Sequence, residues 1–380
     1  MNAPQLAPHL MRHFISSCGV LSGINQTGIS KQLNKPSVKR ITRILLLAKS
    51  SYVGSFVKLA KQIQNGSKQA ENNLQFLMVL KDPCHDLADT NPVDIPKALP
   101  RIINIIRVIW TNSDYYNTQE RLNAMFKKLS NEVIRRCCAS INLDLIFDGF
   151  VVSSKKSLNE CIDCCNSWKG IYNNIQKVHT TCSQYGWSLD KTAIFAQIDA
   201  FIQRCRDLID ICDCEVHFAN ADESEKKELP IFGGQKGPEI ARNLNEIEST
   251  FNKHLLELRR VKNTILDVKA TSWHEDYNHF RSAVKEMEVM VINVINSAFD
   301  TITNVESAVE ILDAFMHLSA RESIRRTIDK KTVDTYNLFM DELNTVKREI
   351  TSRSIVLDPM HPDYSGAAMW AKGLRRRIEK

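Results

Sequence analysis

Apolar residues recur at helical spacing through most of the chain. Ile102, Ile105, Ile106 and Ile109 stand at i, i+3, i+4 and i+7, so they line one face of a helix. A longer single-face stripe covers residues 194–212, and Thr192 or Asp190 is a candidate cap for its first turn. The stripe consists of Ile194, Phe195, Ile198, Phe201, Ile202, Cys205, Leu208, Ile209 and Cys212. Both patterns predict amphipathic helices with one buried face.

Residues 239–270 carry a different repeat, in which seam positions alternate by steps of four and three. The positions are Ile240, Leu244, Ile247, Phe251, His254, Leu258, Val261, Ile265 and Val268. This 3.5-residue period is typical of a helix that packs along a coiled-coil-like seam. Two further stripes follow, at Phe280, Val284, Met287, Val291, Val294 and Ala298, and at Val333, Tyr336, Met340, Leu343 and Val346. We predict an all-α fold, an elongated succession of antiparallel helical bundles with coiled-coil-like long helices.

Glycines and prolines divide the helical pattern into segments. Pro83, Pro92, Pro96 and Pro100 exclude one continuous helix across that stretch, and Asn65-Gly66-Ser67 predicts a break. The predicted organisation is a loosely ordered segment 1–37, a helical segment 38–82, a Pro-rich connector 83–100, a helical bundle 101–218, a polar Gly/Pro loop 219–238, a long-helix bundle 239–350 and a C-terminal basic segment 351–380.

Composition and charge narrow the class of protein. The 380 residues are 43% hydrophobic and 25% charged, as in folded soluble proteins. A net charge of +6 from 50 cations and 44 anions does not favour a nucleic-acid partner. The one cationic run, Lys372 and Arg375–Arg377 to Lys380, is typical of a solvated helix end, with a functional basic patch as the open alternative.

Targeting and redox signals point to a reducing compartment. The longest apolar run, Ile44 to Ala48, is far shorter than the roughly 18 residues that a membrane span needs. The N-terminus lacks the apolar core of a signal peptide. Eleven cysteines, an odd number, therefore predict free thiols rather than a disulfide framework. We expect no membrane partner.

Tests for phosphate chemistry and for paired histidines favour structural explanations. Residues 233–238 are glycine-rich, but Gly237 is followed by Pro238 instead of the Lys-Ser/Thr of a P-loop. A glycine–proline start of the next helix is the favoured interpretation, and anion binding at that helix start is the open alternative. His274 and His279 are five residues apart, about 140° around a helix, so they do not predict a shared metal.

The cysteines and the seam histidine complete the search for chemistry. Cys161, Cys164 and Cys165 precede Cys212 and Cys214, but all five lie in helical patterns and are best explained as small buried hydrophobes, with zinc binding as the alternative. His254 occupies a seam position, which favours a hydrogen-bonded interface histidine over a ligand or a pH switch. We predict no catalytic, cofactor-binding or metal-binding residue, and no enzyme activity for this polypeptide.

Ordered sequence strings carry a family resemblance that periodicity does not supply. The strings are Leu99-Pro100; Trp110-Thr111-Asn112-Ser113-Asp114-Tyr115-Tyr116-Asn117-Thr118-Gln119-Glu120-Arg121; Leu129-Ser130-Asn131-Glu132 with Ile134; Trp168-Lys169 to Tyr172; Phe195 to Phe201 with Arg204-Cys205; Leu229 to Gly234; Gly237-Pro238-Glu239-Ile240; Ile265 to Val268; Trp273 to Tyr277; and Tyr364-Ser365-Gly366 with Trp370, Leu374 and Arg377-Ile378. From about Gly28 to the last residue, the chain resembles the N-terminal stem (tail) region 1 of axonemal dynein heavy chains, most like the two-headed inner-arm type.

The resemblance implies a stem scaffold without a motor. In this family the stem associates heavy chains and holds intermediate and light chains, while a separate ring hydrolyses ATP and a stalk binds microtubules. Ring and stalk are missing from this sequence, which therefore resembles a fragment and would meet microtubules only indirectly. The implied location is the cytoplasm, the cytoskeleton and the ciliary axoneme. The alternative function is an unrelated helical tether or adaptor, and a metal-dependent enzyme is a third hypothesis.

Overall fold

The computed structural model describes residues 28–182, 189–219, 237–300, 302–351 and 363–379. Every regular element within these ranges is a helix, which confirms the predicted all-α class. In chain order the helices are α1 (Pro36–Leu47), α2 (Val53–Met78), α3 (Lys81–Asp89), α4 (Ile95–Asn112), α5 (Gln119–Ser140), α6 (Leu143–Phe147), α7 (Val151–Cys182), α8 (Lys191–Phe218), α9 (Gly237–Arg260), α10 (Lys262–Ile265), α11 (Ser272–Phe299), α12 (Val305–Phe315), α13 (Glu322–Thr351) and α14 (Asp363–Glu379), with a short 3-10 turn at Met316–Leu318.

The chain forms two compact units. The first contains the residues up to Leu143, Ser153–Ile209 and Leu266–Lys269, and the second contains Asp144–Val152, Asp210–Ile265 and the chain from Ala270 onward. The change of unit at residues 209–210 lies inside α8, and not in the predicted loop 219–238. Loop residues 220–236 lie outside the described ranges.

The core of the first unit confirms the helical periodicities. Ile102, Ile106 and Ile109 are buried on α4, and Ile105 is half-buried. An aromatic cluster joins α5, α7 and α8, with the ring of Tyr172 centred 5.4 Å from that of Phe126 and 5.1 Å from that of Phe195. Edge-to-face packing of this kind adds to the stabilisation from apolar burial.

Helix α8 follows its sequence pattern closely. All nine positions of the predicted stripe are buried except Ile209, which is half-buried. The backbone N–H of Ala193 donates a hydrogen bond of 3.1 Å to Oδ1 of Asp190. Asp190 is therefore the N-cap, and it satisfies one of the backbone N–H groups that a helix start leaves without an intrahelical partner.

The predicted proline connector is helical over most of its length. Pro83 lies in the first turn of α3 and Pro96 in the first turn of α4, where a missing N–H removes no intrahelical bond. Pro100 lies inside α4. The interruption between the two helices is confined to residues 90–94. The stretch is therefore not one continuous helix, as predicted, but it is not an extended connector either.

Two other boundaries also differ from the sequence interpretation. Helix α2 continues through the predicted break at residues 65–67, because glycine costs a helix only about 1 kcal/mol and buried Ser67 and Ala70 pack this stretch. Residues 28–33 are helical inside the segment predicted to be loosely ordered, while residues 1–27 lie outside the described ranges.

In the second unit, α9 and α11 pack against each other in antiparallel fashion. The ring of Phe251 is centred 6.1 Å from that of Phe280, and the ring of His254 is centred 5.9 Å from that of His279. Residue numbers rise along one helix as they fall along the other, which establishes the antiparallel direction. The predicted stripe on α11 is buried from Phe280 to Ala298, so it forms core as expected.

The seam predicted over residues 239–270 is not one helix. Helix α9 ends at Arg260, and the four-residue helix α10 follows before Leu266–Lys269 join the first unit. Ion pairs hold the end of α9 and the start of α10 within the second unit: Arg259 Nη1 lies 2.9 Å from Oδ1 of Asp148, and Lys262 Nζ lies 2.6 Å from Oδ1 of Asp144. The heptad spacing continues past Arg260 although the helix ends there, so the local pattern alone gave a wrong helix boundary.

Candidate functional site

The glycine-rich residues 233–238 were considered for phosphate binding, and their described part forms the start of a helix. Residues 233–236 lie outside the described ranges, and Gly237 and Pro238 are the first two residues of α9. Proline at this position suits the first turn of a helix. The described part of the motif therefore agrees with the glycine–proline helix start.

The two histidines of α11 have different neighbours. Nε2 of His274 lies 3.1 Å from Nδ2 of Asn278, one turn further along the same helix. His279 instead lies beside His254 of α9. His254 also meets Glu257, with 3.1 Å between its Nδ1 and the Oε2 of the carboxylate. Sequence reasoning singled out both His254 and His279 but had no means of placing them together.

The cysteines that were considered for zinc are buried. Cys161, Cys164 and Cys165 belong to the first unit, whereas Cys212 and Cys214 belong to the second. Hydrogen bonds with the first three thiols raise the pKa of Cys137 far above its ordinary value, so that thiol stays protonated. Burial raises the pKa of Cys214 to about 12. These thiols behave as apolar core groups.

A cation-centred cluster lies at the start of α13. Nη1 of Arg321 lies 3.2 Å from Oε1 of Glu288, and Nη2 lies 3.7 Å from Oδ1 of Asp210. The same Nη2 donates to the sulfur of Cys214. Glu288 accepts a further hydrogen bond of 2.6 Å from the hydroxyl of Ser323. Because the Arg321 side chain is only 19% exposed, this cluster is an internal electrostatic anchor of the second unit.

Helix α13 carries two apolar faces. Ile324, Ile328 and Val346 are buried on the face that packs against its own unit. The stripe predicted from the sequence is exposed over most of its length, and only Val346 of its members is buried. We call the exposed positions Val333, Tyr336, Phe339, Met340 and Leu343 the α13 stripe.

The α13 stripe is separated from the buried face of the helix. At 100° per residue its members are centred roughly 100° around the helix from that face. Tyr336 is 61% exposed, and the spacing of three and four residues from Val333 to Leu343 suits a second helix. The apolar spacing identified from the sequence is present on α13, but most of its positions are exposed and do not belong to the core.

A second apolar surface belongs to the first unit. Helix α1 has no buried residue, and Ile41, Ile44 and Leu47 are all more than half exposed. Tyr52, just before α2, is 83% exposed. We call the exposed side chains of Ile41, Ile44, Leu47 and Tyr52 the α1–α2 surface. Exposed patches that combine aliphatic and aromatic side chains are typical of protein interfaces.

Several residues of the sequence strings that carry the family resemblance have structural contacts in the described part of the chain. Tyr116 is buried, and its hydroxyl donates a hydrogen bond of 3.2 Å to the backbone carbonyl of Asn73. The guanidinium of Arg121 lies 3.7 Å from the centre of the Tyr115 ring. Trp273 and Tyr277 stack with ring centres 5.7 Å apart. Tyr115, Tyr116, Arg121, Trp273 and Tyr277 therefore contribute to the packing of the helices.

Comparison with known proteins identifies the family of this chain. Residues 24–380 match the family model for the dynein heavy chain, N-terminal region 1. The chain belongs to the dynein heavy-chain family. It is 40% identical over 94% of its length to the dynein-1-beta heavy chain of the flagellar inner arm I1 complex of Chlamydomonas reinhardtii, and it covers 8% of that protein. It is also 40% identical over 93% of its length to the human dynein axonemal heavy chain 2, of which it covers 6%.

The pattern of identity agrees with the predicted axonemal subtype of dynein heavy chain. Identity to the flagellar outer-arm dynein beta chain of Chlamydomonas reinhardtii is 27% over 93% of the chain, lower than to the inner-arm protein. These three relatives are axonemal or flagellar dynein heavy chains. An unrelated helical tether is therefore excluded.

Among the described residues, no helix combines the length and the apolar character needed to cross a membrane.

Proposed function

We propose that this chain is a stem scaffold of an axonemal dynein heavy chain and is non-catalytic by itself. The observation that carries the proposal is the match of residues 24–380 to the N-terminal region of the heavy chain. The proposed role is to support heavy-chain association and to dock intermediate and light chains for microtubule-based ciliary movement. The proposed location is the axoneme, with microtubules met only through a motor domain.

The two exposed apolar surfaces are the proposed docking sites. A stem segment that holds other subunits needs apolar area that its own core does not use. The α13 stripe offers a tyrosine and a phenylalanine on a rigid helix, and aromatic side chains are frequent anchors of protein interfaces. The α1–α2 surface offers a helix without a buried residue in the other unit. Two separate surfaces suit a scaffold with more than one partner.

Binding measurements with dynein subunits test the proposal. The chain is titrated against the stem of a second inner-arm heavy chain and, separately, against an axonemal intermediate chain, with affinity measured by biolayer interferometry. We expect binding to at least one of them. Tyr336→Arg with Met340→Arg should weaken the complex that uses the α13 stripe by at least tenfold, because buried unpaired charges are costly in an interface.

A matched control separates docking from folding. Asn337→Arg adds one of the two positive charges of the stripe variant to α13, at an exposed polar position beside the stripe. It should leave affinity and melting temperature unchanged, and the stripe variant should keep its helical circular dichroism. If neither dynein subunit binds the unmodified chain, the scaffold proposal is contradicted. If both complexes are insensitive to substitutions in both apolar surfaces, the assignment of the docking sites is contradicted while the scaffold role stands.

A further inference from the structure

Two packed helices of the second unit bring three metal-binding side chains together. His254 and Glu257 are one turn apart on α9, so they share a face of that helix. His279 comes from the antiparallel helix α11. One ligand atom from each of the three residues lies within 4.8 Å of the other two. The group is thus formed by the packing of two helices and not by a local sequence motif.

The donor atoms suit zinc. Two imidazoles and one carboxylate are the protein ligands of many zinc sites that keep a fourth position open, and imidazole disfavours magnesium and calcium. Bond lengths of about 2.0–2.1 Å place two ligands of a tetrahedral zinc ion roughly 3.3 Å apart. Nδ1 of His254 and Oε2 of Glu257 already lie 3.1 Å apart. Glu257 and His279 are exposed, so side-chain rotation can close the remaining gap without moving the backbone.

A pocket of about 60 Å³ lies at this position. Leu258 and Phe280 are buried and form its apolar wall, and Asp276 lines it one turn before His279. The volume holds a metal ion with one water molecule. Because Asp276 lines this pocket, its carboxylate is available for a fourth position, either directly or through that water. The apolar shell around a metal site controls its solvent access and its local dielectric.

We propose that His254, Glu257 and His279 form a zinc site that links α9 to α11, with a fourth ligand from Asp276 or water. Bound zinc would hold α9 and α11 together close to Val261, the residue between α9 and α10. Because the ligands come together only in the folded unit, zinc stabilises the folded state over the unfolded one. The inference is independent of the dynein subunits that the chain docks.

Zinc titration of the metal-free chain tests the site. Binding is followed by competition with a chromophoric chelator, and thermal unfolding is measured with and without zinc. We expect one tightly held zinc ion per chain and a higher melting temperature in its presence. His254→Gln and His279→Gln should each lower zinc affinity by more than about 100-fold, since loss of a mere supporting group already costs about 10- to 100-fold.

His274→Gln is the matched control, because His274 lies on the same helix as His279 and bonds Asn278. It should leave zinc affinity and the zinc-dependent melting shift unchanged. Cobalt substitution checks the ligand type: the spectrum should contain the weak bands of a nitrogen and oxygen site and lack the strong charge-transfer band of a thiolate site. The proposal is overturned by an absence of zinc binding, by tight binding that survives in the His254→Gln/His279→Gln double variant, or by a thiolate spectrum.

Discussion

The indole Nε1 of Trp168 donates a hydrogen bond of 3.0 Å to the hydroxyl oxygen of Ser130, and both side chains are fully buried. This bond joins α7 to α5 beside the aromatic cluster of the first unit. The Ser130 hydroxyl is the acceptor for the polar atom of the Trp168 side chain, and water does not reach this buried pair. The pair therefore combines apolar burial with complete satisfaction of a buried donor.

Ser130→Ala should destabilise the first unit by about 1–3 kcal/mol, because it leaves the Trp168 N–H without its acceptor. Urea unfolding followed by tryptophan fluorescence measures the change. Ser55→Ala, at an exposed position on α2, should change the free energy of unfolding by less than about 0.5 kcal/mol. Equal effects of the two substitutions would show that the hydrogen bond contributes nothing.

Arg321→Met should destabilise the second unit by about 2–4 kcal/mol, because Glu288 would keep a mostly buried charge without its cation. The comparison is Arg326→Met, which removes an exposed ion pair with Glu322 on the same helix. That substitution should cost less than about 1 kcal/mol. Denaturant unfolding of both variants at several salt concentrations gives the difference. An Arg321 variant as stable as the Arg326 variant would contradict the anchoring role.

The carboxyl of Glu215 should make stability depend on pH. Burial, with a smaller contribution from Asp148, raises its pKa from 4.5 to about 8, and neither oxygen has a hydrogen-bond partner among the described residues. Between these two pH values the folded chain holds a proton that the unfolded chain releases. The contribution of Glu215 to stability is therefore most favourable below about pH 4.5 and is lost as pH rises toward 8.

Glu215→Gln should remove this pH dependence and stabilise the second unit by about 1–3 kcal/mol at pH 8, less than the full charge penalty because a buried amide also needs a partner. The advantage should vanish as pH falls toward 4.5. Urea unfolding across that range measures it, with exposed Glu246→Gln as the reference. A stability difference that is constant with pH would be the contrary result.

The buried thiols should resist alkylation in the folded chain. Burial raises the pKa of Cys84 and of Cys214 to about 12, and the thiolate is the reactive form. At pH 8 both should react with iodoacetamide more than about 100-fold more slowly than the same residues in urea. Peptide mass spectrometry resolves each site, and the denatured chain is the internal reference. Rapid labelling of either thiol in the folded chain would contradict its burial.

Local patterns were sufficient for helices whose boundaries are set by nearby residues. The stripe from Ile194 to Cys212 is buried nearly as predicted, and the cap falls to Asp190, one of the two residues proposed. Helix periodicity and capping act within a few residues, so they can be recognised without knowledge of the fold. The prolines were harder to interpret because Pro83 and Pro96 fit the first turns of helices.

Burial of a face depends on what packs against it. The positions from Val333 to Leu343 have the same spacing as the buried stripe of α11, yet they face solvent. Periodicity identifies an apolar face of a helix but does not identify its partner. The exposed α13 stripe therefore became visible only when the neighbours of α13 were placed.

The sequence by itself determined the all-α class, the main helical faces and membership of the dynein heavy-chain family, because these depend on local spacing and on ordered strings of residues. Tertiary structure alone decided the contacts between residues far apart in the chain. His279 meets His254, and not His274, because α9 and α11 pack antiparallel. Arg321 reaches Asp210 across more than a hundred residues of sequence. Such pairs arise from the packing of whole helices, which a local sequence repeat cannot predict.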